Sequence, residues 1–154
     1  MHGRTASAAS IGFLLALLAS ASGCGDGQGG DDGPAVSYSI DLSVDGDEPF
    51  GALGLDITHL GNNGGFLGRG DKIDCVPLVD AIVAGNYVGE RTAKLGLISL
   101  RGIPLPSLIL RCGFRTSEPL SPASFLIEVT DAANINSEPL DPPPNVAITA
   151  IIAR

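Results

Sequence analysis

Short runs in which apolar and polar residues alternate constrain the fold of this chain more than any other feature. The clearest run covers residues 36–44, where Val36, Ile40 and Val44 belong to the apolar set and serines occupy most of the intervening positions. A period of two places all the apolar side chains on one side of an extended strand. The run therefore predicts a β-strand with one buried side and one side open to solvent.

Similar alternation recurs along the chain, and segments rich in Gly, Pro, Asn or Asp separate the runs. Residues 94–100 predict a less regular strand, whereas residues 76–85 are compatible with a strand or one short helical turn. The side chains predicted to face inward in the regular runs are Leu53, Leu55, Ile57, Leu108, Leu110, Cys112, Phe114, Phe125, Ile127, Val129, Val146, Ile148, Ala150 and Ile152. Seven to nine short strands at such intervals predict an all-β fold, an antiparallel β-sandwich.

Residues 1–23 have the organisation of a secretory signal peptide. Arg4 supplies a positive charge near the start, residues 11–18 are apolar, and small residues lead from there to Cys24. The apolar stretch is too short to cross the hydrocarbon of a bilayer, which takes about 20 residues. We therefore expect export across a membrane.

Residues 21–24 read Ala-Ser-Gly-Cys and resemble the lipobox of bacterial lipoprotein signals. In that family the cysteine thiol receives diacylglycerol, cleavage leaves the cysteine as the first residue, and the new amino group is acylated. The resemblance implies that Cys24 is lipidated and that several acyl chains anchor the protein stably. The expected location is the cell envelope, at the outer membrane or the cell surface, with the membrane as first partner.

Residues 24–34 then form the lipidated cysteine and a tether, and residues 35–154 form the folded domain. Most residues between Cys24 and Pro34 are glycine or aspartate, a composition that buries little and predicts a flexible linker. Beyond the signal, eight basic residues face 17 acidic ones, a net charge of −9. This balance favours solubility and opposes binding to nucleic acid, so no nucleic-acid partner is expected.

Cys75 and Cys112 remain as an even pair once Cys24 is assigned to lipidation. Exported domains fold in oxidising surroundings, so we expect a disulfide between them. It would close a loop of about 38 residues and contribute roughly 4 kcal/mol in the chain-entropy model. A reactive or metal-binding thiol pair is the rival interpretation, but it lacks imidazole neighbours, because His59 is the only histidine beyond the signal.

Residues suited to catalysis or to metal binding are scarce. A Ser-His-Asp arrangement would have to use His59, which we interpret as a surface histidine at the end of a strand. We therefore expect no enzymatic activity and no catalytic residue. Asp45, Asp47 and Asp131 are weak calcium candidates, although acids in such segments commonly only form turns. No cofactor is expected beyond, at most, a structural calcium ion.

The segments YSIDLSV, FGALGLDITH, LILRCGF and SFLIEVTDA, in this order, resemble the cohesin-like β-sandwich modules of bacterial secreted proteins and lipoproteins. The resemblance covers residues 35–152 and includes a Phe-x-Gly-x-Gly turn and the two cysteines. Cohesins are sandwiches of jelly-roll type that bind calcium-loaded dockerins on one sheet face. The resemblance implies a jelly-roll fold and a protein-binding role, and it identifies no binding residue.

The sequence thus predicts a lipid-anchored envelope protein that displays a β-sandwich for binding another envelope or extracellular protein. A carbohydrate-binding module with a polysaccharide partner is the first alternative, which the lack of tryptophan disfavours. An envelope hydrolase is a weaker one. Small polar residues on the outward side of the first strand, Ser37 and Ser39, predict a flat face suited to a protein partner.

Overall fold

The computed structural model describes residues 34–89 and 91–154. These residues form a 3₁₀ turn, Pro122–Ser124, and eleven strands, of which seven have at least six residues and four have two or three. The strands are β1 Val36–Asp45, β2 Phe50–His59, β3 Gly65–Phe66, β4 Gly68–Arg69, β5 Lys72–Ile73, β6 Cys75–Pro77, β7 Ile82–Tyr87, β8 Thr92–Ile103, β9 Ser107–Thr116, β10 Phe125–Ala133 and β11 Asn145–Ala153. The described residues contain no helix with the length and hydrophobicity of a transmembrane span.

Two antiparallel sheets form a sandwich, which confirms the all-β prediction. Sheet A has the strand order β11-β1-β9-β3, and β6 also pairs with β9. Sheet B has the order β10-β2-β8-β7-β5-β4. Residues 76–85 were compatible with a strand or one short helical turn. They contain most of β6, in sheet A, and the start of β7, in sheet B, so the chain passes from one sheet to the other there.

The core lies between the two sheets and is built mainly from the inward positions of the long strands. In β1, the alternation delivers Ile40, Leu42 and Val44 to the interior, as the sequence predicted. Phe50 and Phe114 are among the largest side chains that are completely buried. Because burial of a large apolar side chain contributes about 1.5–3 kcal/mol, these rows of strand residues dominate the stability of the sandwich.

A β-bulge in β9 reverses one predicted side-chain direction. Leu42 lies opposite Leu110, but its neighbour Ser43 lies opposite Leu108, so Ile109 is an extra residue in the ladder. Ile109 is fully buried and Leu108 is 42% exposed. The prediction that Leu108 faces inward is therefore wrong, because the extra residue shifts the alternation of the strand by one position.

A second bulge, in β11, has the same effect on Ile152. Asp41 lies opposite Ala150 and its neighbour Leu42 lies opposite Ile148, so Thr149 is an extra residue in the ladder. Ile151 then lies opposite Ile40 and packs against the core, whereas Ile152 lies opposite Ser39 and is exposed. The predicted inward direction of Ile152 is wrong for the same reason, and so is that of Ala150, which lies opposite Asp41 on the outer side of sheet A.

The strand β1 runs along the sandwich and defines its two ends. Its first residue, Val36, lies opposite Thr116, and its last, Asp45, lies opposite Asn145. A rise of about 3.3 Å per residue separates the two ends of a ten-residue strand by about 30 Å. We term the end with Val36 the near end, because the described chain enters the sandwich there, and the end with Asp45 the far end.

Candidate functional site

The predicted signal peptide, Cys24 and the tether up to residue 33 lie outside the described residues. The two other cysteines form the predicted disulfide. Cys75 in β6 lies directly opposite Cys112 in β9, and their sulfur atoms are bonded. Cys112 is completely buried, so the bond ties the short strand β6 to the core of sheet A. Neither sulfur is then available as a free thiol for metal binding or for nucleophilic chemistry.

His59 is buried, and its interpretation as a surface histidine is wrong. Only 2% of the residue is exposed, and its ring lies 4.8 Å from the ring of Phe114 and 5.2 Å from that of Phe125. The position in β2 explains this, because His59 continues the inward series that contains Leu55 and Ile57. His59 follows Ile57 by two positions, so the alternating pattern of the sequence already indicated that its side chain faces inward.

The surroundings of His59 favour its neutral form. Burial lowers the pKa of His59; the nearby carboxylate of Glu118 opposes this shift and the charge of Arg91 adds to it. Within the described part of the chain, no group forms a hydrogen bond with Nδ1. Gly61 covers the ring closely, since a Cβ atom at that position would lie 2.5 Å from Cε1. This environment is that of a packed core residue.

The three calcium candidates do not converge. Asp45 is the last residue of β1 and Asp47 lies in the turn that follows it, whereas Asp131 lies on β10 opposite Gly54. Among the residues that the structure describes, no group of three or more His, Cys, Asp or Glu side chains could hold a metal ion. Asp45 instead accepts a hydrogen bond of 2.9 Å from the backbone N–H of Gly46, as turn-forming aspartates do.

The outer side of sheet A is not the open face that was expected around Ser37 and Ser39. Ser39 is only 7% exposed, and its hydroxyl accepts a hydrogen bond from Nε of Arg154. The backbone N–H of Arg154 also donates to the carbonyl of the half-buried Ser37, at 2.9 Å. Asp41 follows on the same side of β1 and is held by Arg111. Arginine side chains therefore occupy this face, and Ser39 is not accessible to a partner.

Exposed aliphatic side chains instead gather on the outer side of sheet B. Ile82 is 72% exposed and lies directly opposite Ile98, which is also exposed. Leu100 follows two positions later on the same side of β8 and is 92% exposed. Ser99, between them, faces inward and is buried. The irregular alternation of residues 94–100 was the sequence signal for this surface, since the apolar Ile98 and Leu100 point outward and Ser99 points inward.

The exposed aliphatic side chains of β8 continue to the far end, where the pairing of β8 with β2 becomes irregular. Ala52 lies opposite Ile98, but Phe50 lies opposite Ile103, so β8 has more residues in this interval than β2. Gly102 has a φ of +75°, and the side chain of Ile135 occupies the space beside it, 2.9 Å from where a Cβ atom would lie. Ile135 is itself exposed. We term Ile82, Ile98, Leu100 and Ile135 the far-end apolar surface.

Carboxylates border this surface. The described far-end segments, residues 45–49, 78–81, 99–106 and 134–145, contain one basic residue, Arg101, which lies 3.7 Å from one of the carboxylates. The acidic residues of these segments are all exposed, and they are Asp45, Asp47, Glu48, Asp80, Glu138 and Asp141. Glu48, Arg101 and Ile135 line an open depression of ≈ 370 Å³. The far end thus combines exposed aliphatic side chains with an excess of negative charge.

Comparison with known proteins adds no further constraint. No family model matches the chain, and neither a curated protein nor a solved structure matches it. The similarity to cohesin-like modules therefore stays a prediction. The arrangement that the fold itself offers for function is the far-end apolar surface with its acidic border.

Proposed function

We propose that the protein is a lipid-anchored protein of the cell envelope and that its β-sandwich displays a protein-binding surface. The observation that carries this proposal is the position of the far-end apolar surface, at the end of the sandwich opposite to Val36. Clusters of exposed aliphatic side chains in a soluble domain commonly mark interaction sites. The described chain enters the sandwich at the near end, so the surface lies about 30 Å along β1 from the end where the proposed tether would attach.

The chemistry of the surface favours a protein over a sugar. Sugar-binding sandwiches stack sugar rings on exposed aromatic side chains. The phenylalanines of the described residues, Phe50, Phe66, Phe114 and Phe125, are buried in the core. Tyr87 is half-buried and donates a hydrogen bond of 3.1 Å to the carbonyl of Phe66. Aliphatic side chains on a sheet face suit the apolar centre of a protein interface instead.

The anchor and the tether complete the proposal. Lipidated Cys24 holds the protein in the membrane, and residues 25–33, treated as a glycine-rich coil, span about 17 Å. This spacing lifts the sandwich away from the headgroups and lets the far end meet a partner. The protein thus acts as a displayed binding module.

The test places a photo-reactive amino acid at Leu100 in the full chain, expressed in its own envelope. A matched control carries the same group at Asn62, which is exposed in a near-end loop. We expect a discrete protein adduct from Leu100, a much weaker one from Asn62, and loss of the Leu100 adduct when Ile82→Ser is added. Equal adducts at both positions, or an adduct that contains only polysaccharide, would overturn the proposal.

A further inference from the structure

We propose that the partner at the far-end apolar surface is a protein segment in which lysine or arginine residues flank aliphatic side chains. This inference rests on the proposed function and adds the chemistry of the partner to it. Two observations carry it: the apolar and acidic parts of the far end are contiguous, and their charges are mostly not neutralised within the sandwich.

The contiguity is visible at Glu48. This residue lines the depression that also contains Ile135, and it lines a second depression of ≈ 300 Å³ together with Asp47 and Asp141. An aliphatic side chain that packs on Ile135 therefore brings the neighbouring residues of its own segment close to several carboxylates. Basic neighbours would be attracted there and acidic neighbours repelled.

Charge neutralisation within the far end is slight. Asp80 and Arg101 are paired at 3.7 Å, but both side chains are almost fully exposed, and exposed pairs of this kind contribute little. Glu138 accepts a hydrogen bond of 2.8 Å from the side chain of Asn134. None of the ion pairs found among the described residues includes Asp47, Glu48 or Asp141. Their field attracts cationic partners and increases the rate of encounter with them.

The negative charge is concentrated at this end. The described near-end segments, residues 60–74, 91 and 115–124, contain four basic and three acidic residues. The far-end segments contain six acidic residues and one basic residue. The sandwich therefore has a charge asymmetry along its length, and the acidic pole coincides with the exposed aliphatic side chains.

The same charges argue against two other occupants. A second copy of the chain would bring one acidic border against another, which opposes self-association. A lipid surface would present phosphate groups to the same carboxylates, and the like charges would repel each other. A basic and apolar protein segment satisfies both the aliphatic side chains and the carboxylates.

The loop that carries Asp141 is suited to binding without large rearrangement. Residues 142–144 are three consecutive prolines, and the last of them is buried. Proline restricts φ, so less conformational freedom remains to be lost when a partner binds. This part of the acidic border is therefore preorganised.

The test measures the binding of synthetic peptides to the full chain, purified in a non-ionic detergent, by fluorescence anisotropy. The probe alternates leucine with lysine, and two matched peptides replace all lysines by glutamate or all leucines by serine. We expect the leucine–lysine peptide to bind, and to bind about tenfold more weakly when salt rises from about 50 mM to about 500 mM. The glutamate peptide should not bind, and the serine peptide should bind at least about tenfold more weakly.

Two variants of equal charge locate the site. Asp47→Asn with Asp141→Asn should weaken binding of the leucine–lysine peptide about fivefold. Asp71→Asn with Asp74→Asn removes the same charge at the other end and should leave binding unchanged. Leu100→Ser should weaken it about tenfold, and circular dichroism should show that all three variants are folded.

Each other outcome overturns the inference. Equal effects of the two double variants would mean that only net charge matters, and equal binding of the lysine and glutamate peptides would remove the role of charge. Reversible dimerisation that Leu100→Ser abolishes would assign the surface to a second copy. No binding of any peptide would also overturn it. The adduct at Leu100 tests the proposed function separately, so the two failures are distinguishable.

Discussion

Arg111 and Asp41 lie directly opposite each other on β9 and β1 and form a bidentate ion pair. Nε of Arg111 donates to Oδ1 of Asp41 at 2.6 Å, and Nη2 donates to Oδ2 at 2.7 Å. The side chain of Asp41 is almost completely buried, whereas that of Arg111 is 40% exposed. The hydrogen bonds from Arg111 lower the pKa of Asp41, and the same interaction raises the pKa of Arg111. The two partners are therefore unequal, because water can hydrate the guanidinium of Arg111 when the pair is broken but has little access to the carboxylate of Asp41.

This inequality predicts different costs for the two single substitutions. Arg111→Gln leaves a buried carboxylate without its cation and should destabilise the domain more than Asp41→Asn, which leaves a guanidinium that solvent can hydrate. Asp41→Asn should cost about 1 kcal/mol. Urea denaturation at neutral pH measures both. Equal midpoints, or a larger loss in Asp41→Asn, would contradict this description of the pair.

The pKa of Asp41 also predicts an acid-sensitive contribution to stability. Because its pKa in the folded protein is below the usual value of 3.8, the contribution is complete above that pH and is lost as the pH falls below it. In Asp41→Asn this part of the acid dependence should be absent. Denaturation midpoints of the two proteins should therefore converge as the pH falls from about 5 to about 2.5. A constant difference between them would refute the assignment.

His59 predicts a second pH dependence, at higher pH. Burial holds its pKa below the usual value of 6.5, so the unfolded chain takes up a proton on His59 before the folded protein does. Stability should therefore fall as the pH decreases below that value, by at most about 1.4 kcal/mol per pH unit from this group. His59→Phe should keep the ring contacts with Phe114 and Phe125 and remove this slope. Equal slopes for the two proteins between about pH 7.5 and about pH 5 would disprove it.

The disulfide should contribute substantially to stability. It joins residues 37 apart in sequence, and the chain-entropy model gives about 4 kcal/mol for such a loop. Reduction of the wild-type domain and the Cys75→Ser substitution should lower the denaturation midpoint by similar amounts. The reducing agent should have no further effect on Cys75→Ser. A variant as stable as the oxidised wild type would contradict the prediction.

The bulge in β9 predicts unequal roles for two adjacent residues. Ile109→Ala removes a fully buried side chain and should cost about 3 kcal/mol, within the range for large-to-small core substitutions. Leu108→Ala removes an exposed side chain and should cost well under about 1 kcal/mol. Thermal or urea unfolding of the two variants checks this. The reverse order would mean that strict alternation persists and that the bulge is absent.

Strand geometry by itself determined much of this protein. A period of two residues is a property of any extended chain, so Ile40, Leu42 and Val44 could be placed in the core before any partner strand was known. The pairing of Cys75 with Cys112 followed from the number of cysteines and the expected oxidising environment. Local periodicity and covalent chemistry were sufficient for these features because neither depends on how distant strands meet.

Tertiary structure decided the features that depend on pairing between strands. The extra residues Ile109 and Thr149 are bulges only relative to β1, so the outward directions of Leu108 and Ile152 could not be read from their own segments. Ser39 is covered by Arg154, 115 positions later in the chain. The prediction of an open face at Ser37 and Ser39 failed because this contact between distant segments could not be read from β1 alone.

The candidate site was decided in the same way. Ile82, Leu100 and Ile135 belong to β7, β8 and the loop after β10, and each alone is an ordinary exposed aliphatic residue. Sheet pairing and the irregular end of β8 bring them to one end of the sandwich, beside carboxylates from other loops. Contacts between segments so far apart in sequence are set by the packing of the whole sandwich, and local periodicity contains no information about them.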